Sequence, residues 1–404
     1  MQTKSNSFAL GALTALFFAM GFITVLNDIL IPHLKRIFDL NHFEAALVQL
    51  CFFGAYFITG GPFGKLLDKI GYPAGVVGGF LLTALGCILF YPAASTASYP
   101  IFLGAFFILA SGVVLLQTAG NPFVTLLAPG KEASALTLVQ AFNSLGTTLG
   151  PIFGASLIIA DTTHIVDKIK DAQSVQIPYL MIAGVLVLLG ILVYLLKLPD
   201  VRDRAEQISE ENHDGKQSLF EYPHLVLGAL AIFFYVGAEV SIGSFLILTM
   251  EKVANMDAKV GATYISAYWG GAMVGRFLGS AIMQIIAPNK CLGFNAVVNV
   301  LLIALAIAFD NHFTIYALLI IGLFNSIMFP TIFSLATKNL GKFTSQASGI
   351  ICMAIVGGAI VPPTQGLVAD HMGLIASYLV PLVCYFYVIF FALYGYKIGA
   401  EDDS

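Results

Sequence analysis

Three ionisable residues stand inside long apolar runs: Asp28, Glu239 and Arg276. In hydrocarbon a charged side chain costs about 2.5–3.5 kcal/mol even on lenient scales, so each needs an ion, a proton or a partner. Asp28 is followed by Ile29-Leu30-Ile31, which continues its apolar run. It reads as a cation-coupling carboxylate, able to exchange H+ or to lend oxygens to a Na+ site. Glu239 is apolar on both sides and is a second coupling or solute-binding carboxylate, the alternative being a hydrogen bond to a neighbouring helix. Arg276, in Gly275-Arg276-Phe277-x-Gly279, lies on a two-glycine helix face and reads as packing at a gate.

Neutral polar residues recur at helical spacing. Gln117 and Asn121 are i, i+4, and Gln140 and Asn143 are i, i+3, so each pair shares one face. Asn325 is a further amide in an apolar run. Amide donors and acceptors with few charges suit a neutral polyhydroxylated solute; an organic anion would call for more buried cations. Trp269 is the only tryptophan. It could stack on a sugar ring or serve as a packing or interfacial aromatic. Asn295 and Asn299 are expected to hydrogen-bond between helices.

Other chemistry lacks the residues it needs. The five cysteines are widely spaced in apolar runs and read as small buried hydrophobes, while the seven histidines fall in or beside loops. No metal-ligand cluster, nucleophile elbow, Walker loop or dinucleotide fingerprint occurs, so no catalytic residue, resident metal or organic cofactor is expected and the chain is not read as an enzyme. The net charge of −4 predicts no nucleic-acid surface.

The elements that must hold these residues are membrane spans. Charged residues are 10% of the 404, against roughly 25% in soluble domains, and 58% are hydrophobic. Mean hydropathy is +0.89. A membrane helix needs about 20 apolar residues. Twelve such runs are read, near 8–32, 44–64, 73–93, 100–127, 134–160, 178–197, 223–249, 260–286, 291–309, 313–336, 345–368 and 374–396. With the N-terminus inside, inner segments hold twelve Lys and Arg and outer loops six, which places both termini in the cytoplasm. The polar stretch 198–222 then separates an N-terminal unit, 1–197, from a C-terminal unit, 223–404.

The halves repeat. Phe17-Phe18-Ala19-Met20-Gly21 aligns with Phe233-Phe234-Tyr235-Val236-Gly237, Gln117 and Pro122 with Asn325 and Pro330, and Gly146 and Pro151 with Gly357 and Pro362. The offsets are 216, 208 and 211 residues, close to one period. Parallel repeats of this kind place a solute site between the halves near the membrane midplane, with access alternating by rocking. Gly64, Asp68, Lys69 and Gly71 after the second span form a Gly-x3-Asp-Lys-x-Gly loop suited to an inner gate. It resembles the signature loop of the major facilitator superfamily.

Four segments sharpen that likeness: Leu26-Asn27-Asp28-Ile29-Leu30-Ile31-Pro32, Gln117-Thr118-Ala119-Gly120-Asn121-Pro122-Phe123-Val124, Gln140-Ala141-Phe142-Asn143-Ser144 and Pro330-Thr331-Ile332-Phe333-Ser334-Leu335. They resemble the fucose–galactose–hexose symporter family. The resemblance implies an all-α membrane protein with twelve transmembrane helices in two pseudo-symmetric six-helix bundles. It implies import of a neutral hexose by H+ or Na+ symport, the alternative being a symporter or facilitator for another neutral sugar such as fucose or N-acetylglucosamine. In the fucose type the aspartate matching Asp28 and a glutamate at the position of Gln117 serve proton coupling and sugar binding. Here Gln117 is neutral and Glu239 is gained where the fucose type has an amide, a pattern similar to the glucose/galactose branch. Asn27, Gln117, Asn121, Gln140, Asn143, Glu239, Trp269 and Asn325 are thus the expected sugar ligands. Asp28 and Glu239 are the expected coupling groups, with a Na+ site at Asp28 as the alternative to proton exchange. A monomer in a bacterial-type inner membrane is expected, with the lipid bilayer and a small sugar as its partners.

Overall fold

The computed structural model describes residues 8–22, 42–96, 98–158, 176–212, 218–256, 258–309 and 311–400. Every regular element among them is helical. In chain order these are α1 (Phe8–Phe22), α2 (His42–Ile70), α3 (Tyr72–Ser95), α4 (Tyr99–Leu127), α5 (Glu132–Ile158), α6 (Gln176–Leu196) and α7 (Arg202–Asn212). After them come α8 (Pro223–Ala254), α9 (Ala258–Ile282), α10 (Pro288–Phe309), α11 (His312–Asn325), α12 (Met328–Ala336), α13 (Thr344–Ala354), α14 (Gly357–Met372) and α15 (Leu379–Leu393). Short 3-10 turns join several of them.

Local sequence starts and stops these helices. α3, α4 and α8 carry proline in the first turn, where the missing N–H has no intrahelical use. Asn311 and Thr314 form a reciprocal cap on α11, and Asn255 ends α8 in the left-handed region at φ 46°. Among the described residues, nine helical stretches are long and apolar enough to cross a membrane, counting α11–α12 and α13–α14 as one each. α5 and α9 run 27 and 25 residues, and at about 1.5 Å per residue they too are long enough. With α1 these make up the twelve runs read from the sequence. Large apolar side chains such as Ile177, Leu188 and Phe294 cover the outer surface, as lipid-facing helices require.

Three features depart from the sequence reading. The runs expected to be continuous over 313–336 and 345–368 are each interrupted. α11 gives way to α12 across Ser326–Ile327, and α13 to α14 across Ile355–Val356. Pro330 contributes to the first by removing the N–H that would close the turn on Ser326, and the carbonyls of Phe324 and Asn325 there accept from side chains of other helices. Gly357-Gly358 with Pro362-Pro363 accompany the second. The polar linker contains a helix of its own, α7.

The repeat is visible as matched helix crossings. A Cβ on Gly21 would lie 2.0 Å from Asn143 O, and one on Gly146 2.2 Å from Phe18 O, so α1 and α5 cross backbone to backbone. In the second half a Cβ on Gly357 would lie 2.0 Å from Phe233 O, and one on Gly237 2.3 Å from Val361 Cγ2, so α8 crosses α14 in the same way. Glycine is required because no side chain fits between helices this close.

Candidate functional site

Three groups of polar residues inside the bundle bear on the expected site; Ser241, Gln365 and Ser377 bond one another apart from them. The first lies in the helices before the linker. Gln117 Nε2 donates to Tyr56 Oη at 2.9 Å, joining α4 to α2. Gln140 Nε2 donates to Asn121 Oδ1 at 3.2 Å, joining α5 to α4. Asn143 Nδ2 donates to Phe17 O at 2.9 Å, at the α1–α5 crossing. Gln117 and Asn143 keep part of their surface exposed and each retains unused hydrogen-bonding capacity. Asn121 is sealed, and its Nδ2 has no partner among the described residues.

The second set is built on α8 to α11 and α15. Glu239 lies at the middle of α8, partly buried, and its Oε1 accepts from Tyr235 Oη at 2.8 Å. Tyr235 and Glu239 are i, i+4 and share a helix face. The same hydroxyl lies 3.2 Å from Asn325 O. Asn325 is 0% exposed. Its Nδ2 donates to Tyr268 Oη at 2.9 Å, and its Oδ1 accepts from Tyr385 Oη at 2.6 Å and Asn299 Nδ2 at 2.8 Å. Tyr268 Oη in turn reaches Glu239 O at 3.3 Å. Asn325, expected from the sequence to meet solute hydroxyls, is therefore placed behind the surface. Its oxygen already holds two donors, and it fixes the tyrosines around Glu239. Asn295 and Asn299 do join helices, Asn295 Nδ2 donating to Phe324 O at 2.9 Å. Trp269 is 42% exposed and meets Tyr268 edge-on at 5.2 Å.

The third set closes one end of the bundle. Ser134 and Ser280 exchange hydroxyl-to-carbonyl bonds of 2.7 and 2.9 Å between α5 and α9. Arg276 donates to Ser326 O from Nε at 3.1 Å, to Ser144 Oγ, and to Gln140 O at 3.4 Å. No carboxylate among the described residues pairs with it directly. On the other side α2 meets α13. A Cβ on Gly349 would lie 2.4 Å from Gly60 O, and one on Gly64 2.9 Å from the Gln346 Cα. Asp68 accepts from Gln346 Nε2 at 2.7 Å, Ser345 Oγ donates to Tyr72 Oη at 2.9 Å, and Ser348 Oγ donates to Thr118 O at 2.9 Å. Gly71 turns the loop at φ 79°. Arg202 reaches Asp68 O and Lys69 O at 3.4 Å each and bonds Asp200 through Nε at 2.8 Å. Partial burial raises the Asp200 carboxyl, but the hydrogen bonds and charge of Arg202 outweigh this and hold it below the usual range.

Gln117, Asn121, Gln140 and Asn143 thus form one set, Glu239, Trp269 and Asn325 meet through Tyr235 and Tyr268, and Gly64, Asp68, Lys69, Gly71 and Arg276 belong to the closed end. Asn27 and Asp28 lie outside the described residues. The sequence reading missed Tyr56, Tyr235 and Tyr385, because tyrosine in an apolar run looks like packing. The i, i+4 spacing of Tyr235 and Glu239 was the available signal.

Comparison with known proteins bears on the whole arrangement. A family model described as Major Facilitator Superfamily matches residues 12–363. A Helicobacter pylori protein is 63% identical over 414 residues, covering 100% of both chains. A Brucella abortus protein named a glucose/galactose transporter is 52% identical, covering 98% of this chain and 95% of its own. The L-fucose-proton symporter of Escherichia coli is 36% identical, covering 97% and 94%. The crystal structure of the E. coli fucose:proton symporter superposes with a TM-score of 0.86 at 34% identity, covering 96% of this chain and 98% of that one.

Proposed function

The chain belongs to the major facilitator superfamily, and on that premise we propose that it imports a neutral hexose of the glucose/galactose type by cation symport with alternating access. It is a multi-pass membrane protein of the all-helical facilitator fold. One observation carries the solute reading. The polar groups at mid-span are neutral amides, phenols and hydroxyls, and Glu239 is the carboxylate at that depth among the described residues. Arg276 donates to two carbonyls and a serine, and the other described lysines and arginines stand at helix ends or in the connecting segments rather than at that depth. The name carried by the B. abortus relative agrees with that chemistry.

Gln117 and Asn143, with Asn121 and Gln140 behind them, face hydroxyls from one half. Glu239, held by Tyr235, faces them from the other, and Trp269 offers an aromatic face. Asp28, with Asn27 beside it, is the main coupling carboxylate and Glu239 the second. The coupling ion is H+, a reading supported by the proton-coupled E. coli relative. The end closed by Ser134–Ser280 and by α2 against α13 faces the cytoplasm, as do both termini, and the protein works as a monomer in the inner membrane. The N-terminal unit is 1–197, the linker 198–222 and the C-terminal unit 223–404.

Labelled-hexose uptake into proteoliposomes, with pH and Na+ gradients imposed separately, tests this. Accumulation driven by the pH gradient alone is expected. Accumulation driven only by Na+ would transfer the coupling to that ion. Failure to accumulate glucose or galactose under either gradient would refute hexose symport.

A further inference from the structure

Resting on the transport reading above, we propose that Arg276 is a positioning residue that ties the helix bearing Glu239 to the closed end of the bundle, through a backbone carbonyl that Pro330 leaves without its helical donor. The argument starts at residues 324–326. In an α-helix each carbonyl accepts from the N–H four residues later. Thr331 N donates to Ile327 O at 3.1 Å, so the helical register is intact at that point. One residue earlier the donor would be the N–H of residue 330, which is proline and has none. Ser326 is 1% exposed, so bulk water does not reach it. Arg276 Nε supplies the missing donor at 3.1 Å.

The neighbouring carbonyls are also taken by side chains from other helices. Phe324 O accepts from Asn295 on α10, and Asn325 O from Tyr235 on α8. Tyr235 spends the same hydroxyl on Glu239 Oε1. A change in the proton, ion or sugar held by Glu239 must therefore alter the Tyr235 bond to Asn325 O. Ser326 O is the next carbonyl along, and Arg276 joins it to Ser144 and Gln140 O on α5, across the interface between the halves. Arginine suits this task because its planar fork presents several N–H donors in fixed relative positions. Lysine keeps the charge but offers a single nitrogen and cannot reproduce that geometry.

Two predictions separate this role from simple charge. Arg276→Lys should loosen the closed end as Arg276→Gln does. Pro330→Ala, which restores an N–H aimed at Ser326 O, should partly repair Arg276→Gln. The readout is Cys291, which is buried with Ala133, Met283 and Ile327 where the halves meet. With Cys51, Cys87, Cys352 and Cys384 replaced by alanine, the full-length protein in proteoliposomes is treated with a membrane-permeant maleimide, and the alkylation rate of Cys291 is measured. Both single variants are expected to react at least five-fold faster than the parent, with the double variant Arg276→Gln/Pro330→Ala returning at least half way on a logarithmic scale. Parental alkylation in Arg276→Lys, or no recovery in the double variant, would overturn the proposal. Circular dichroism and detergent gel filtration of each variant identify misfolding. A misfolded single variant that Pro330→Ala does not restore also counts against the capping role. Alkylation needs no transported sugar, so loss of the hexose reading would appear in wild-type uptake alone.

Discussion

Replacing Asn325 with alanine is expected to destabilise the fold far more than it weakens sugar binding by direct contact. The side chain is fully buried and makes three bonds, to Tyr268, Tyr385 and Asn299. Truncation leaves the Tyr385 hydroxyl and the Asn299 amide without the acceptor they share. Asn299 Oδ1 already has no partner among the described residues, so that amide would be left with none there. Each stranded buried donor costs about 1–3 kcal/mol, so two cost about 2–6 kcal/mol before any cavity is counted. Against a total stability of about 5–15 kcal/mol this is a large fraction. At roughly 2–4 °C per kcal/mol for a unit of about 200 residues, the melting temperature should fall by about 4–24 °C. Thermal denaturation of the purified protein in detergent, followed by intrinsic fluorescence, measures this. Adding Tyr385→Phe to Asn325→Ala removes one stranded donor and should recover a third or more of the loss. An Asn325→Ala protein that melts like wild type but no longer binds hexose would refute the reasoning and return Asn325 to the sugar surface.

Gln117→Ala should weaken hexose binding by roughly 5–150-fold, the range of one lost buried hydrogen bond, and titration calorimetry would show it. Wild-type isotherms would remove Gln117 from the site. Asp28→Asn should abolish uphill accumulation while equilibrium exchange of labelled sugar persists; full accumulation by this variant excludes Asp28 as the coupling group. Glu239→Gln keeps the shape and can still accept from Tyr235, so it should fold yet show an altered pH or Na+ dependence of uptake, and an unchanged profile with unchanged affinity would make Glu239 purely structural. Gly349→Ala places a methyl 2.4 Å from Gly60 O. Overpacking of this kind costs about 1–3 kcal/mol, so the closed state should lose about 5–150-fold in population, read as faster modification of cysteines placed along α2.

Much of the architecture could be read from residues alone, and the reasons are particular. Apolar runs bounded by charge or proline locate spans because bilayer thickness demands them. The alignment of Gly146 with Gly357 located two real crossings, since close helix approach leaves only glycine at the contact. The breaks at Ser326–Ile327 and Ile355–Val356 were not read, because hydropathy averages over a turn and is blind to where backbone carbonyls find their donors. The site was half legible. Glu239 and the amides of α4 and α5 declared themselves by being polar in apolar surroundings. Tyr56, Tyr235 and Tyr385 did not, because a phenol hides its hydrogen-bonding end behind an apolar ring. Asn325 shows the opposite limit: sequence shows that an amide is present but not how many neighbours already use it.

The seam at the closed end is fastened largely by hydroxyls on carbonyls: Ser134 with Ser280, and Ser348 on Thr118 O. A serine on a helix has a second option, the carbonyl four residues back on its own chain. When the halves separate, Ser280 can turn to Arg276 O and Ser348 to Thr344 O, each within its own helix, so these hydroxyls keep an acceptor. Such a fastening is exchanged rather than broken, so opening carries little enthalpic penalty on either side of the cycle. A carrier that must visit two shapes thousands of times needs them nearly equal in free energy, and a zip of serines levels them where salt bridges would lock one shut.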